Sequence, residues 1–590
     1  MNASCEARET AARYLATPPL LQHFDRVAQA PGGVARLREL ILTLAVQGKL
    51  VPQDPADEPA SVLLERICEE KARLVKAGKI RKEKPLAAIA AEEKPFALPV
   101  GWEWVRLNQL LIKIGAGSTP LGGKEVYVSE GIKFLRSQNV WNEGLRLIDV
   151  AYIKPETHLK MSGTTVLAGD ILFNITGASI GRCAVVPTTF DEANVSQHVT
   201  IIRPTLTTTT PYLHLVLISP HVQETVMDVQ VGVSREGLSI GKLGQFLVPI
   251  PPPSEQSRIV ARVEELMALC DVLEEKGRLV AAQHERLAGA LFDALANSTS
   301  AEEAAEHWQR IATHFDLLLD RPAAVDRLEQ AILQLAVRGR LVPQNPADEP
   351  ASALLQKIRT EKDRLIASGQ LKRDKPLPPI SDEEKPLGLP EGWEWPRFGD
   401  VTNISSGVTL GRKTLISNPI SLPYLRVANV QRWRLSLNDL KELTIDRSEL
   451  GRFQLQKNDL LITEGGDWDK VGRTCIWNEQ VSVCLHQNHV FRARGLSKEW
   501  NPVWAELYLN SSDARAYFAS SAKQTTNLAS INMTQLKGCT FPMPPLSEQS
   551  RIVARVAELR ALCTQLRDRL AATAQTRSRL AEALLEQAVA

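Results

Sequence analysis

Two β-rich stretches of the chain carry arginine, asparagine, glutamine and lysine side chains that are suited to contacts with DNA. Arginine can bond both acceptors of guanine in the major groove, and asparagine or glutamine can match the donor and acceptor of adenine. In the first stretch the candidates are Arg136, Gln138, Asn139, Arg182, Arg235 and Lys242. In the second stretch they are Arg426, Asn429, Arg432, Arg434, Lys470, Arg473, Gln487, Asn488, Lys523 and Asn527. For any one of them, a solvated surface position is the simpler interpretation.

The dipeptides Gly181–Arg182 and Gly472–Arg473 occur in both stretches, which otherwise differ in sequence. Contacts to phosphates position a protein on DNA without reading its sequence. Because these arginines are shared, we expect them to bind the DNA backbone or to hold the framework rather than to read bases.

The residue patterns that a self-contained enzyme needs are missing. GLSIGKL at 237–243 has the wrong spacing for a phosphate-binding loop and lacks its hydroxyl. NPAD at 345–348 lacks the aromatic residue that the Asn-Pro-Pro-aromatic loop of amino-methyltransferases uses against a flipped base. We therefore predict no catalytic residue in this chain.

One cluster has the residue types of a metal site. Its spacing, C-x8-C-x-H-x2-H, fits no ordinary zinc pattern, and the first stretch keeps only Cys183 and His198 of it. The sequence thus favours packing cysteines and hydrogen-bonding histidines over a metal site. The cluster consists of Cys475, Cys484, His486 and His489.

The candidates lie within a duplicated unit, and a repeat of this length predicts two copies of one module. HFDRVAQAPGGVARLRELILTLAVQGKLVPQDPADEPAS, ending at 61, returns in similar form ending at 352, an offset of 291 residues. LPVGWEW at 98–104 returns as LPEGWEW at 389–395. The β-rich runs that follow have diverged but keep this offset within two residues. The pattern predicts two variants of a module, each held in the same frame.

Each copy ends in a long helix with a coiled-coil pattern. VPIPPPSEQSRIVARV at 248–263 returns as FPMPPLSEQSRIVARV at 541–556. Apolar or small residues follow at alternating spacings of four and three from Ile259 to Leu291 and from Ile552 to Leu584, and both series weaken around His284 and Arg577. We predict two helices of about 40 residues, each about 60 Å long, with N-caps at Ser254 and Ser547.

Composition limits the class of protein but not its function. A chain of 590 residues is too long for one core, and 44% apolar with 23% charged residues is ordinary for a globular protein. A net charge of +2 neither demands nor excludes nucleic acid. The eight cysteines lack paired spacing, and no apolar run is long enough for a membrane span. We therefore expect a cytoplasmic protein with reduced thiols and no membrane association.

The repeated frames, the LPxGWEW entries, the GDILFNITGASIG and GDWDKVGR loops and the PPxSEQxRIVxRV exits resemble the specificity subunits of type I restriction-modification systems. The resemblance implies an α+β fold with an internal pseudo-twofold repeat. Two globular α/β target-recognition domains would be separated by a long antiparallel two-helix coiled coil. Each domain would read one half of a bipartite site in double-stranded DNA. We predict that 1–97 form part of the first helical frame and that 98–253 and 389–546 form the recognition domains. The central long helix and the second helical frame would occupy 254–388, and the C-terminal long helix would occupy 547–590.

The resemblance also implies partners. Two methyltransferase subunits would dock on the helical frames, and restriction subunits would join them. The complex would methylate adenine N6 and cleave DNA, while this chain would be non-catalytic and bind no cofactor. S-adenosylmethionine would be bound by the methyltransferase, and ATP and Mg²⁺ by the restriction subunit.

Two alternatives stay open at this point. The chain could serve a two-subunit restriction enzyme whose partner is a fused methyltransferase and nuclease, which the identity of the partner would distinguish. It could also be a coiled-coil scaffold whose globular domains bind protein. That scaffold would show no steep loss of DNA binding in a salt titration.

Overall fold

A computed structural model describes residues 27–82, 86–231, 237–385, 388–411, 416–466, 470–525 and 528–589. The chain forms two compact units. The first unit comprises Met1–Val280 and Ala574–Ala590, and the second comprises Ala281–Thr573. Each unit mixes helices with sheets, so the predicted duplication of an α+β module is confirmed. Within the described residues, no helix has both the length and the apolar character that crossing a membrane requires.

The described helices include two of 44 residues, α7 (Pro253–Ala296) and α17 (Leu546–Val589), and each of them contributes residues to both units. In the first unit the helices are α1 (Gly33–Val46), α2 (Ala60–Lys76), α3 (Pro155–Lys160), α4 (Thr210–Ile218), α5 (Pro220–Val231) and α6 (Ile240–Gly244), followed by α7 (Pro253–Ala296). In the second unit they are α8 (Ala301–Thr313), α9 (Phe315–Leu318), α10 (Pro322–Val337), α11 (Ala351–Ala367), α12 (Phe398–Val401), α13 (Leu450–Phe453), α14 (Pro502–Leu509), α15 (Ser512–Ser521) and α16 (Met533–Gly538), followed by α17 (Leu546–Val589).

The strands of the first unit form an antiparallel sheet in the order β10-β9-β12-β2, a mixed sheet in the order β3-β7-β4-β11-β8, and the pairs β1-β13 and β5-β6. They are β1 (Glu103–Arg106), β2 (Leu111–Ala116), β3 (Tyr127–Val128), β4 (Ile132–Leu135), β5 (Val140–Trp141), β6 (Gly144–Leu145), β7 (Ala151–Ile153), β8 (Thr165–Val166), β9 (Ile171–Asn174), β10 (Cys183–Val185), β11 (Ala193–Val195), β12 (Val199–Pro204) and β13 (Leu247–Ile250).

The second unit repeats this plan with sheets in the orders β14-β23-β19-β21 and β18-β15-β22 and the hairpin β16-β17, and it has a further sheet, β20-β25-β24. Its strands are β14 (Thr402–Ser406), β15 (Pro419–Leu425), β16 (Val430–Gln431), β17 (Arg434–Leu435), β18 (Lys441–Asp446), β19 (Leu460–Thr463), β20 (Gly465–Gly466), β21 (Thr474–Ile476), β22 (Leu485–His486), β23 (Val490–Gly495), β24 (Lys523–Thr525) and β25 (Leu528–Ser530).

A buried glutamate joins the sheet-containing part of each unit to its long helix. Glu255, in the first turn of α7, accepts hydrogen bonds from Trp102 Nε1 at 2.9 Å and Gln53 Nε2 at 2.6 Å. Glu548 of α17 accepts equivalent bonds from Trp393 Nε1 at 3.0 Å and Gln344 Nε2 at 2.7 Å. The repeated Glu thus fastens helix, frame and GWEW entry together. We call these two sites the glutamate junctions.

The helix ends differ slightly from the prediction. Helices α7 and α17 begin at Pro253 and Leu546, so Ser254 and Ser547 lie in the first turn and are not N-caps. Proline suits the first turn because its missing N–H would have no partner there. In α7 this proline is Pro253, and each helix starts two residues before the first helical position that an N-cap at Ser254 or Ser547 would give.

The predicted apolar seam also shifts by one residue in the last part of each long helix. Leu287 and Leu580 belong to the predicted seam but are more than half exposed, whereas Ala288 and Ala581 are 2% exposed. A straight helix drifts from a strict seven-residue repeat, so one stripe cannot stay buried along 44 residues.

The predicted five-segment division remains a prediction. Strand β13 ends at Ile250, close to the predicted end of the first recognition domain. The compact units divide α7 after Val280 and α17 before Ala574, inside the predicted segments 254–388 and 547–590.

Candidate nucleic-acid interface

A short turn before a β-hairpin organises the candidate residues in the first unit. Asn139 Oδ1 accepts a hydrogen bond from Arg136 N at 3.0 Å, and its Nδ2 donates to Arg146 O at 2.9 Å. Asn139 is 1% exposed. Its amide therefore closes the turn that leads into the β5–β6 hairpin and is not presented at the surface.

The second unit builds the same turn. Asn429 Oδ1 accepts from Arg426 N at 2.9 Å, and its Nδ2 donates to Ser436 O at 2.8 Å. Asn429 is 3% exposed. Both asparagines were candidates for reading adenine, but the structure places their amides in the framework, because both polar groups of each amide are already paired.

Arg136 and Arg426 are anchored beside these turns. Arg136 Nη2 donates to Asp149 O at 3.2 Å. Arg426 Nη2 donates to Asp439 O at 3.0 Å and to its carboxylate at 2.6 Å. Each guanidinium therefore ties the start of the hairpin to the segment that follows it.

The loop between β9 and β10 is fastened to the hairpin of the first unit. The buried Asn174 donates from Nδ2 to Ser137 O at 2.9 Å, and Asn142 Oδ1 accepts from Cys183 N at 3.0 Å. The Arg182 guanidinium lies 3.7 Å from the centroid of the Trp141 ring. Loop and hairpin thus form one surface, which we call the first hairpin surface: residues 137–146, 175–182 and His198.

A cleft of about 420 Å³ opens on the first hairpin surface. Thr176 Oγ1 and His198 Nδ1 lie 2.7 Å apart at its edge. Its lining offers hydroxyl, amide, imidazole and guanidinium groups and no carboxylate. It contains Ser137, Gln138, Trp141, Thr176, Gly177, Ala178, Ser179, Arg182 and His198. The candidates Gln138 and Arg182 therefore come together here.

The second unit places Arg473 against the equivalent hairpin. Arg473 Nη1 donates to Gln431 Oε1 at 2.6 Å. Gln431 pairs with Arg434 in this hairpin, as Trp141 pairs with Gly144 in the hairpin of the first unit. Gln431 therefore occupies the position of Trp141. Arg432 Nη1 donates to Asn510 Oδ1 at 3.3 Å, and Arg434 is exposed on β17. We call residues 431–434, 464–466, 470–473 and His489 the second hairpin surface.

Gln487 and Asn488 lie in the turn between β22 and β23. Gln487 N donates to Leu425 O at 2.9 Å, and Asn488 N donates to Val408 O at 3.0 Å. Both side chains are partly exposed. The neighbouring His489 bonds through Nδ1 to Glu464 of the second hairpin surface at 2.6 Å, which brings these candidates near Arg473. Lys470 is partly buried and lies in the loop that contains Arg473.

One of the remaining candidates, Lys242, lies away from these surfaces. Lys242 is exposed on α6 and lines a different cleft, together with Glu224 and Asp228. Arg235, Asn527 and the side chain of Lys523 lie outside the described residues. Whether any candidate contacts bases thus remains a prediction.

Two ion pairs with buried carboxylates were not predicted from the sequence. Arg203 Nε and Nη2 donate to the Asp170 carboxylate at 2.6 and 2.8 Å. Arg494 binds Asp459 in the same way at 2.6 and 2.7 Å. The signal that could have found them is the recurrence of an Asp and an Arg in both divergent stretches, at nearly the repeat offset.

The cluster with metal-ligand residue types is packed into the second unit. Cys475 and Cys484 are buried, and burial raises the pKa of the Cys484 thiol to about 12. His486 is buried with Nδ1 at 2.7 Å from Val490 O, and burial lowers its pKa to about 4. Among the described residues, no three His, Cys, Asp or Glu side chains are grouped to hold a metal ion.

Comparisons with known proteins agree with the repeated architecture. A family model described as the type I restriction modification DNA specificity domain matches twice, at residues 99–281 and 390–574. The specificity subunit of the type I restriction enzyme EcoAI from Escherichia coli is 36% identical over 590 residues, covering 94% of each chain. The specificity subunit of EcoEI from the same species is 36% identical over 574 residues, again covering 94% of each chain.

Solved structures of similar description also match. One solved structure concerns the complex assembly and conformational transition of the type I R-M system. A chain of that structure is 19% identical with a TM-score of 0.48, and the match covers 84% of this chain and 99% of that one. The crystal structure of the HsdS subunit from Thermoanaerobacter tengcongensis has a TM-score of 0.40 and 20% identity, covering 84% of this chain and 98% of that one.

Proposed function

This chain belongs to the specificity subunits of type I restriction-modification systems, and from that membership we propose that its two recognition domains each read one half of a split DNA site. The first hairpin surface would contact one half-site and the second hairpin surface the other. Different side chains on equivalent backbones would then give each half-site its own sequence.

The observation that carries this proposal is the pairing of a shared framework with different surface residues. Asn139 and Asn429 close the same turn, and Glu255 and Glu548 close the same junction. On that framework, Trp141 of one hairpin corresponds to Gln431 of the other. A protein with a single binding specificity has no need for two such differently lined surfaces.

We further propose that α7 and α17 form an antiparallel coiled coil that fixes the spacing between the half-sites. Both helices carry the repeated apolar pattern, and each supplies residues to both compact units. In the first unit, Ala581 of α17 joins the core that contains Val263 and Cys270 of α7. In the second unit, Cys563 of α17 joins the core that contains Ala288 and Phe292 of α7.

The proposed assembly is cytoplasmic and includes two methyltransferase subunits on the helical frames, with restriction subunits bound to them. S-adenosylmethionine, ATP and Mg²⁺ would be bound by the partner subunits, and adenine methylation and DNA cleavage would be their reactions.

A genome-wide map of adenine methylation tests the proposal directly. Cells that express this chain with its methyltransferase should methylate a split motif with a spacer of fixed length. Replacing residues 98–248 with the equivalent region of another specificity subunit should change one half of the motif and leave the other half unchanged. A map in which both halves change would contradict the assignment of one half-site to each domain.

A further inference from the structure

We propose that Arg182 binds a DNA phosphate and that Trp141 is the residue that positions it. This inference rests on the proposed function, because it assigns the first hairpin surface to DNA. It adds a role for a tryptophan that carries no base-reading group, and it separates sequence-independent anchoring from base reading on that surface.

The Trp141 ring is held between two guanidinium groups. Arg182 lies 3.7 Å and Arg146 lies 3.5 Å from the ring centroid. The indole cannot turn freely, because its Nε1 donates to Gln138 O at 2.8 Å. A guanidinium that stacks on an aromatic face keeps its N–H groups available along its edge. The stack therefore fixes the plane of Arg182 and leaves its donors for another partner.

The backbone around Arg182 is fixed as well. Arg182 O accepts from Asn174 N at 2.8 Å, and Arg182 N donates to Ser179 O at 3.2 Å. The side chain of Asn174 ties this loop to the hairpin through Ser137 O. An arginine whose backbone and side-chain plane are both set loses less conformational entropy when it binds.

The chemistry of the cleft fits an anionic oxygen ligand. Arg182 shares the cleft with Ser137, Thr176, Ser179 and His198, and no carboxylate lines it. Among the described residues no ion pair involves Arg182, whereas Arg146, on the other face of the ring, has Glu143 at 3.7 Å. No carboxylate of the described residues therefore neutralises the positive charge of Arg182 within that range. A phosphate supplies the two acceptor oxygens that a guanidinium binds in parallel.

The second unit argues for phosphate rather than base recognition. Arg473 occupies the same loop position, and its guanidinium donates to the side-chain oxygen of Gln431 at 2.6 Å. Two surfaces that differ in their other side chains thus both keep an arginine at this position. Such constancy fits a contact to the part of DNA that is the same at every site.

DNA binding by the complex of the full chain with its methyltransferase subunits tests the proposal. The duplex carries the split motif found by the methylation map, and anisotropy is measured over a series of KCl concentrations. For Arg182→Ala we expect roughly five- to tenfold weaker binding and a salt slope that is smaller by about 0.9, the value for one phosphate contact. Arg182→Lys should keep the slope, because the charge remains. Lys160→Ala, which removes an exposed charge on α3 outside both hairpin surfaces, should leave it unchanged.

The role of Trp141 is tested by measuring whether the effect of its substitution on DNA binding depends on Arg182. Trp141→Ala should weaken binding about threefold, and Trp141→Phe should restore most of that loss because an aromatic face remains. In the Arg182→Ala background, Trp141→Ala should cause little further loss of DNA binding, since a positioning residue acts through its partner. The thermal midpoint of each variant reports folding separately. All variants should methylate the same motif as the wild type.

Three results would overturn the proposal. A relaxed base preference in Arg182→Ala would show base reading instead of phosphate binding. An equal effect of Trp141→Ala with and without Arg182 would show that Trp141 acts independently. Unchanged binding by Arg182→Ala, in a complex whose wild type methylates a split motif, would refute this inference alone. A wild-type complex with no split motif would refute the proposed function as well.

Discussion

At the scale of single residues, Glu506 shows how burial changes a carboxyl group in the second unit. It lies on α14 and accepts a hydrogen bond from Ile476 N at 3.2 Å. Burial raises its pKa to about 7, although the positive charge of Arg560 acts in the opposite direction. The group therefore titrates close to neutral pH, where an exposed glutamate is fully ionised.

The second unit should lose stability as pH rises through the range in which Glu506 ionises. The folded state holds a proton on Glu506 up to about pH 7, whereas the unfolded chain loses it near pH 4.5. Stability is therefore greatest below that range, falls across it, and is lower by about 3 kcal/mol above pH 7. Glu506→Gln keeps an acceptor for Ile476 N and should remove this dependence.

Thermal midpoints measured from pH 5 to pH 8 check this expectation. The Gln variant should match the wild type at pH 5 and exceed it at pH 8. Glu391→Gln, at an exposed position, serves as the control and should leave the pH dependence as it is. Parallel pH profiles for wild type and Glu506→Gln would show that another group dominates.

At the scale of elements, the last part of α17 completes the first unit. Ala581 is buried in the core of that unit, and Leu584, Leu585 and Ala588 pack against the same core. Arg36 of α1 adds an ion pair to Glu582 at 2.8 Å. The segment is thus a packed part of the first unit, although it is separated from the rest of that unit by the whole of the second.

Removing residues 574–590 should destabilise the first unit and spare the second. The lost apolar contacts predict a decrease of about 3 to 5 kcal/mol in the free energy of unfolding. Hydrogen exchange should quicken in α1 and change little in α10. The paired substitutions Leu584→Ala and Leu585→Ala should act in the same direction, whereas Leu580→Ala, which is 54% exposed in the wild type, should have little effect. Equal changes in α1 and α10 would contradict this assignment.

At the scale of the whole molecule, the long helices are expected to set the spacing of the DNA site. Deleting one heptad from both α7 and α17 shortens each by roughly 10 Å and rotates it by only about 20°. The methylation map should then show a spacer shorter by about three base pairs, at 3.4 Å per base pair. An active complex with an unchanged spacer would rule out this role for the helices.

The sequence predicted the architecture better than it predicted the site. The repeat offset and the heptad spacing are periodic signals, and both correspond to observed elements. The role of Glu255 was not visible, because its partners Gln53 and Trp102 lie 202 and 153 residues away in the chain. Asn139 has the side chain of a base reader, but only the fold shows that its amide closes a turn. Trp141 was missed because its residue type suggests packing.

The division of the first unit between distant segments has a consequence for biosynthesis. A ribosome makes residues 1–280 first and the completing segment 574–590 only after the whole second unit, Ala281–Thr573. At about 5–20 residues per second, that interval lasts roughly 15 to 60 seconds. During it the nascent first unit exposes the apolar core that Ala581 later covers. The unit that is translated first is therefore completed last, and it passes through a stage at which chaperones have an apolar surface to bind.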